Sequence, residues 1–186
     1  MREYEKSREK SNFYNMQRFH NDIKRKLINK YGNKCDSIID LGCGKGGDIH
    51  KWIDNDIKKV IGYDINEDYL KEAKKRFENI KKEKNTIIEI DFRMIDLTKN
   101  VIPTESSKSD IITANFCLHY FFKNRKTFNK LKKSITNNLK NGGYFIGTIF
   151  DGKTLSHVLN DNNSIQFDDL FKIKKINIEN KTFGDE

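Results

Sequence analysis

The sequence predicts an α/β domain with a central, mostly parallel sheet and helices on both faces. Three observations predict it. Strand-like and helix-like patterns alternate from residue 36 to about residue 150. A glycine-rich stretch, "DLGCGKGGDIHKW" (Asp40–Trp52), separates the first apolar run from the next helix. The chain has 186 residues, enough for one such domain and hardly two.

The elements follow in order. "NMQRFHNDIKRKLINKYG" (Asn15–Gly32) sets Met16, Phe19, Ile23, Leu27 and Ile28 at helical spacing, and Gly32 ends it. "SIIDL" reads as a buried strand, and Asp48–Asn55 as the helix after the glycine loop. "KKVIGYD" is a second strand, followed by the amphipathic helix "NEDYLKEAKKRFENIKK" with Asn66 as its N-cap. "TIIEIDFRMID" is a third strand, bent midway, and "SDIITANF" a fourth. Lys123–Lys140 reads as helix, "GGYFIGTIF" as a fifth strand and "FKIKKINIE" as a sixth. No internal repeat is visible, and the single proline is Pro103.

Composition narrows the function classes. No apolar stretch reaches the roughly 20 residues of a membrane span, and "MREYEKSREK" has no signal-peptide core. Cys35, Cys43 and Cys117 form no CxxC pair, and the four histidines show no metal-ligand spacing. A disulfide frame and a metal site are therefore not expected, and a reducing, intracellular compartment is. The formal net charge of +9 suits an acidic partner such as RNA. It suits equally the Lys-, Asn- and Ile-rich usage of an AT-rich genome, and charge alone does not decide.

In parallel sheets, ligands bind at the carboxyl ends of the strands. Gly42, Gly44 and Gly47 fit G-x-G-x-x-G, a nucleotide-binding spacing that is weak evidence alone. The loop lacks GK[ST], so it is not a P-loop. Asp40, two residues before Gly42, suits a cationic ligand such as the sulfonium and amino group of S-adenosylmethionine; beside a dinucleotide pyrophosphate it would repel. Asp64 ends the second strand, where a carboxylate can accept both ribose hydroxyls. Asp96 ends the third, where it can accept from an adenine amino group. Each aspartate alone also reads as a cap for the turn after it. Three at successive strand ends, beside the loop, favour the ligand. "LKNGGYFIG" is a turn frequent in class I methyltransferases.

"DLGCGKGGDIHKW", "FCLHYFF" (Phe116–Phe122) and "GGYFIGTIFDG" (Gly142–Gly152) together resemble the mRNA cap guanine-N7 methyltransferases. "FHNDIKRKLI" (Phe19–Ile28) resembles that family's leading helix, and "FDGKTL" looks most like the methyltransferase domains of capping enzymes from large DNA viruses. The resemblance implies a class I, Rossmann-like fold with S-adenosylmethionine as cofactor. It implies transfer of a methyl group to guanine N7 of the 5′ cap, with capped RNA as partner beside other capping-enzyme domains or a stimulatory subunit. It implies cofactor contacts from Lys24, Asp40, Gly42, Gly44, Asp64, Asp96 and Asn115. Lys45, Asp48 and Arg76 match positions needed for activity, with Lys45 and Arg76 facing the cap triphosphate. His119 and Tyr120 match the guanine-pocket pair, and Asn21 a cap contact; His20 departs from the family's Asn. The implied compartment is cytoplasmic or nuclear, a viral factory or a virion.

One domain is expected over 1–186: a helical arm (1–34), a cofactor-binding core (35–150) and an incomplete C-terminal part (151–186). The last expectation rests on "KTFGDE", which resembles a family "FGNE" that leads into further strands. The family's later glutamate and aromatic cap contacts have no counterpart before it. No general base is expected, because guanine N7 has a free lone pair and the task is alignment. Two other readings stay open at this level: a class I methyltransferase for a small metabolite, and a non-catalytic subunit that binds RNA or a partner. The first leaves the His119–Tyr120 pair and the leading helix unexplained.

Overall fold

The computed structural model describes residues 14–159, 164–167 and 171–174. Its centre is β1 (Ser37–Leu41), "SIIDL". Ile38 faces one side of the sheet, and Ile39 and Leu41 the other. A strand apolar on both faces needs cover on both, and that demand sets the layers.

The remaining elements provide it. Helix α1 (Tyr14–Gly32) precedes β1, and the glycine loop leads into α2 (Ile49–Ile53). Then come β2 (Lys59–Asp64), α3 (Glu67–Lys84) and β3 (Glu89–Met94). After β4 (Ser109–Asn115), a 3-10 turn (Leu118–Lys123) enters α4 (Arg125–Asn138) and β5 (Leu139–Thr148). The sheet order is β3-β2-β1-β4-β5, parallel throughout. Ile28 of α1, Trp52 of α2, and Leu70, Ala73, Phe77 and Ile80 of α3 pack on one face. Phe121, Leu131 of α4 and Ile102 pack on the other. The glycine loop thus lies at the switch point, between β1's two neighbours.

The expected caps and ends are instructive. Asn66 caps α3, its side chain accepting from the Asp68 and Tyr69 amides. Asn124 caps α4 through a reciprocal bond with Thr127, so that helix starts two residues later than the periodicity suggests. Strand β3 is shorter than "TIIEIDFRMID" suggests. Strand β5 starts earlier, at Leu139, and a register shift between Ser109 and Ile111 takes up the "KNGG" turn, with Gly142 at φ +79°.

The C-terminal part differs more. Asp151 caps a helix the sequence pattern does not announce, α5 (Gly152–Val158). "FKIK" is not a sixth strand of the main sheet. It is β7 (Phe171–Lys174), paired antiparallel with β6 (Ser164–Phe167) in a separate hairpin. Four alternating residues fit any sheet edge, so the pattern could not choose the partner. The "KTFGDE" stretch and the rest of "FKIKKINIE" lie outside the described residues. No helix of the described residues is long and apolar enough to cross a membrane.

Gly147 of β5 tests the closeness of the two last strands. A Cβ there would fall within contact distance of the Ala114 carbonyl in β4. Backbone cannot swing aside as a side chain can. Gly147→Ala is expected to destabilise the fold by about 1–3 kcal/mol in urea titration, and an unchanged midpoint would mean the strands are further apart.

Candidate active site

The carboxyl ends of β1, β2, β3 and β4 open on one cleft of about 690 Å³. That lies within the range of roughly 300–1,000 Å³ usual for small-molecule sites. Gly42 and Gly44 line it after β1, Asp64 and Asn66 after β2, Asp96 and Thr98 after β3, and Asn115 and Cys117 after β4. Apolar side chains, among them Ile65, Ile95 and Leu97, form much of the wall.

The loop is tied to β2. Gly42 and Cys43 amides donate to the Tyr63 carbonyl at 2.8 and 3.0 Å. Gly44 N donates to Asp64 Oδ2 (2.7 Å), and Asn66 N to Asp64 Oδ1 (2.9 Å). Asp64 is therefore held by two backbone amides with its carboxylate in the cleft wall. An ionised carboxylate has about four lone-pair sites, so acceptor capacity remains for ligand hydroxyls. Gly42 (φ +74°) has no room for a side chain, since a Cβ would stand 2.9 Å from that of Cys117. Gly44 (φ +52°) is the opposite case: a Cβ would meet nothing within 4 Å and would project into the cleft.

Asp96 also lines the cleft. Its Oδ1 accepts from the Thr98 hydroxyl (2.6 Å) and amide (3.0 Å), and Oδ2 pairs with Lys99 at 3.1 Å. The Thr98 hydroxyl holds its carboxyl below the ordinary carboxylate range, so it is an acceptor at neutral pH. Asn115 lines the same wall, its Oδ1 accepting from the Thr148 hydroxyl at 3.2 Å.

Three other expected residues, Asn21, Lys24 and Asp48, meet behind the loop together with Lys51. Asp48 Oδ1 takes the ammonium groups of Lys24 and Lys51, each at 2.7 Å. Lys51 Nζ also donates to Asn21 Oδ1 (3.0 Å) and to the Gly47 carbonyl (3.1 Å). Asn21 and Lys24 belong to α1, so this buried cluster fastens α1 to the glycine loop. Burial pushes the Asp48 carboxyl up, but the two ammonium groups outweigh it and hold it below its ordinary value. Asn21, expected as a cap contact, has its amide oxygen engaged by Lys51. Lys51 is missed by the sequence reading, although its place three residues after Asp48, one helical turn on, was a usable signal.

Asp40, expected as a cofactor contact, is buried. It is 3 % exposed, outside the cleft wall, and its Oδ1 accepts from the Thr113 hydroxyl at 2.5 Å. Burial, then the charge of Asp48, pushes its carboxyl up to about 7. Lys45 pairs with Glu72 (2.9 Å) and lies 5.0 Å from the Tyr69 ring, at the cleft's edge. Arg76 stands exposed on α3 and is not among the residues that line the cofactor cleft.

The base-pocket candidates do converge. His119 and Tyr120 rings are 4.1 Å apart in the turn after β4. Phe150, after β5, lies 6.2 Å from His119 and 6.5 Å from Phe116. Phe116 lies 4.5 Å from His20 of α1. Three elements thus build one aromatic wall beside the cleft. Phe116 holds φ +56°, uncommon for a bulky residue and a recurrent mark of functional sites. The Nδ1 of His119 is buried without a hydrogen-bond partner among the described residues. Phe150 and the strained Phe116 were not singled out from sequence; they stand two residues and one residue past a strand end, where they could have been sought.

Residues 1–185 match the mRNA (guanine-N(7))-methyltransferase domain family. The mRNA cap guanine-N(7) methyltransferase of Saccharomyces cerevisiae is 32% identical over 156 residues, covering 78% of this chain and 34% of that protein. That of Candida glabrata is 32% identical over 164 residues, covering 82% and 38%. The probable mRNA-capping enzyme of Acanthamoeba polyphaga mimivirus is 31% identical over 174 residues, covering 80% and 15%. The chain spans about a third of the length of the two yeast relatives. Among solved structures, an S-adenosylmethionine-dependent methyltransferase from Clostridium acetobutylicum has a TM-score of 0.59 at 24% identity, over 88% of this chain and 60% of that one. A Pyrococcus horikoshii protein has a TM-score of 0.58 at 24% identity, over 82% and 61%. The fold is that of the class I methyltransferases.

Asp40 supplies a pH test of the loop floor. Its pKa is raised on folding, so its contribution to stability is full below pH 3.8 and is lost as pH rises through about 7. Asp40→Asn keeps an acceptor for Thr113 and removes the titration. The variant is expected to melt about 3 °C or more above the parent at pH 8 and level with it at pH 4. A difference independent of pH would mean that Asp40 does not titrate in this window.

Proposed function

The chain belongs to the mRNA (guanine-N7)-methyltransferase family, and on that premise we propose that it transfers a methyl group from S-adenosylmethionine to guanine N7 of 5′-capped RNA. The observation that carries the proposal is the aromatic wall. His20, Phe116, His119, Tyr120 and Phe150 gather from three elements against a cleft that already has the features of a nucleoside site.

The cleft fits the cofactor by its donor set. Asp64 is placed to accept the ribose hydroxyls, and Asp96 the adenine amino group, with Ile65, Ile95 and Leu97 as apolar surface for the ring. Gly44 leaves the space that a side chain would fill. Lys24 belongs to the cluster beneath the loop, where two ammonium groups share the Asp48 carboxylate. Bound there, S-adenosylmethionine supplies a methyl group on a positively charged sulfur.

The chain's own residues then have one task, alignment. Guanine N7 carries a lone pair at neutral pH, so no side chain has to take a proton. Tyr120 and Phe150 offer ring faces to a purine, and the His119 ring, 4.1 Å from that of Tyr120, backs the same wall. Phe116, held at φ +56° with its amide bonded to the Thr148 carbonyl (2.8 Å), fixes the ring between the two halves of the site. Holding nucleophile and electrophile in line is proximity catalysis, which in favourable cases lowers barriers by about 7–11 kcal/mol.

Methyl transfer to a capped RNA, followed with labelled S-adenosylmethionine, is the direct test; a chain that binds the cofactor and leaves capped RNA unmethylated would refute the proposal. Two variants divide the site. Asp64→Ala is expected to weaken cofactor binding at least tenfold in calorimetry, since charge-assisted bonds contribute about 1.5–3 kcal/mol each. Phe150→Ala lies outside the cofactor cleft, so it should raise KM for capped RNA about tenfold and leave cofactor affinity within about twofold. Equal loss of both affinities would merge the two pockets into one.

A further inference from the structure

We infer that the outer face of α4 is the track for the RNA chain that follows the cap, an inference that rests on capped RNA being the substrate. The chain's net charge is +9, and where it resides separates a partner from mere codon usage. Helix α3 mixes its charges: seven cations against five anions over Glu67–Lys84. Helix α4 does not. "RKTFNKLKKSITNN" carries five cations, Arg125, Lys126, Lys130, Lys132 and Lys133, and no carboxylate. Codon bias alone would give both helices the same mixture.

The packing fixes which way these charges face. Thr127, Leu131, Ser134 and Asn138 are buried against the sheet. Lys126, Asn129, Lys132, Lys133 and Thr136 are exposed, so the outer face offers ammonium groups beside an amide and a hydroxyl. These groups suit phosphate and sugar oxygens and read no base, as expected for a substrate of any sequence.

The face is continuous with the site. The turn Leu118–Lys123, which carries His119 and Tyr120, runs straight into α4 through the Asn124 cap. Exposed Lys123 bridges the two. From the other side, Lys130 Nζ donates to the carbonyl of Lys99 (2.5 Å), itself a residue of the cleft wall. A base held at His119 therefore has its phosphates beside the start of a helix about 20 Å long with one sign of charge. The partner is a polyanion that leaves the pocket along α4.

The experiment compares a cap dinucleotide with a capped RNA of about 20 nucleotides, using the chain and its Lys126→Gln, Lys132→Gln, Lys133→Gln variant. The parent should show a lower KM for the long RNA, and that advantage should fall as salt rises. In the variant, KM for the long RNA should rise about tenfold, and the slope of log KM against log salt should drop by about 2, from roughly 0.7 per phosphate contact on single strands. Kinetics on the dinucleotide should not change. A matched variant, Lys74→Gln, Lys75→Gln, Lys82→Gln on α3, should keep the parent's KM for RNA. Equal loss in both variants, or no length dependence in the parent, would overturn the α4 track. Fluorescence anisotropy with a labelled, uncapped RNA of about 20 nucleotides reads the same face without turnover. Weaker binding by the α4 variant alone supports the track even if no methyl transfer occurs; equal binding by parent and variant rejects it. Absence of methyl transfer on either substrate counts against the proposed activity instead.

Discussion

The carboxylate of Asp48, shared by two buried ammonium groups, is the interaction on which the site depends. Lys24 comes from α1 and Lys51 from α2, and both reach the same oxygen. Lys51 also holds the Gly47 carbonyl and Asn21. Further along, Arg25 and Asn29 of α1 bond to Asp54 and Asn55, just after α2, but those groups are more exposed. Removing one member of a buried ion pair typically costs about 3–5 kcal/mol, because its partner is left charged and dry. The arrangement is thus expensive to break.

That fastening has a consequence for the second half of the site. Helix α1 carries His20, and His20 touches Phe116. The aromatic wall is therefore completed only when α1 is docked, and the cluster that holds the loop is one of the contacts that dock it. Cofactor cleft and aromatic wall share one mechanical support. The positive φ of Phe116 fits this picture, since a strained backbone persists only where its surroundings over-determine it. The amide of Phe116 bonds to the end of β5, and its ring is wedged between α1 and Phe150.

Asp40 shows how the same residue type takes different roles at successive strand ends. Asp64 and Asp96 are held by backbone or hydroxyl donors at the cleft wall. Asp40 is sealed under the loop with one hydroxyl donor and a carboxylate neighbour, and its carboxyl rises to about 7. Aspartates ending β1, β2 and following β3 look alike in a sequence. What separates them is how many donors reach each one and how much water remains.

By itself the sequence determined the order of elements through β5, the switch-point position of the glycine loop and the family. Periodicity and strand-end residues are local, and they survive any detail of packing. Asp64, Asp96, Gly42, Gly44 and Asn115 were legible for the same reason, since a strand's carboxyl end is a place the chain announces. Tertiary structure alone decided the rest. Asn21, Lys24, Asp48 and Lys51 make one cluster although up to 30 positions separate them, and no spacing rule joins a helix to a loop that far on. Arg76 is exposed on α3, a placement that the packing of Ala73 and Phe77 against the sheet decides. Phe116 and Phe150 became parts of one wall only when β4 and β5 were set side by side. The hairpin of β6 and β7 chose each other rather than the main sheet because four alternating residues carry a pattern, but not a partner.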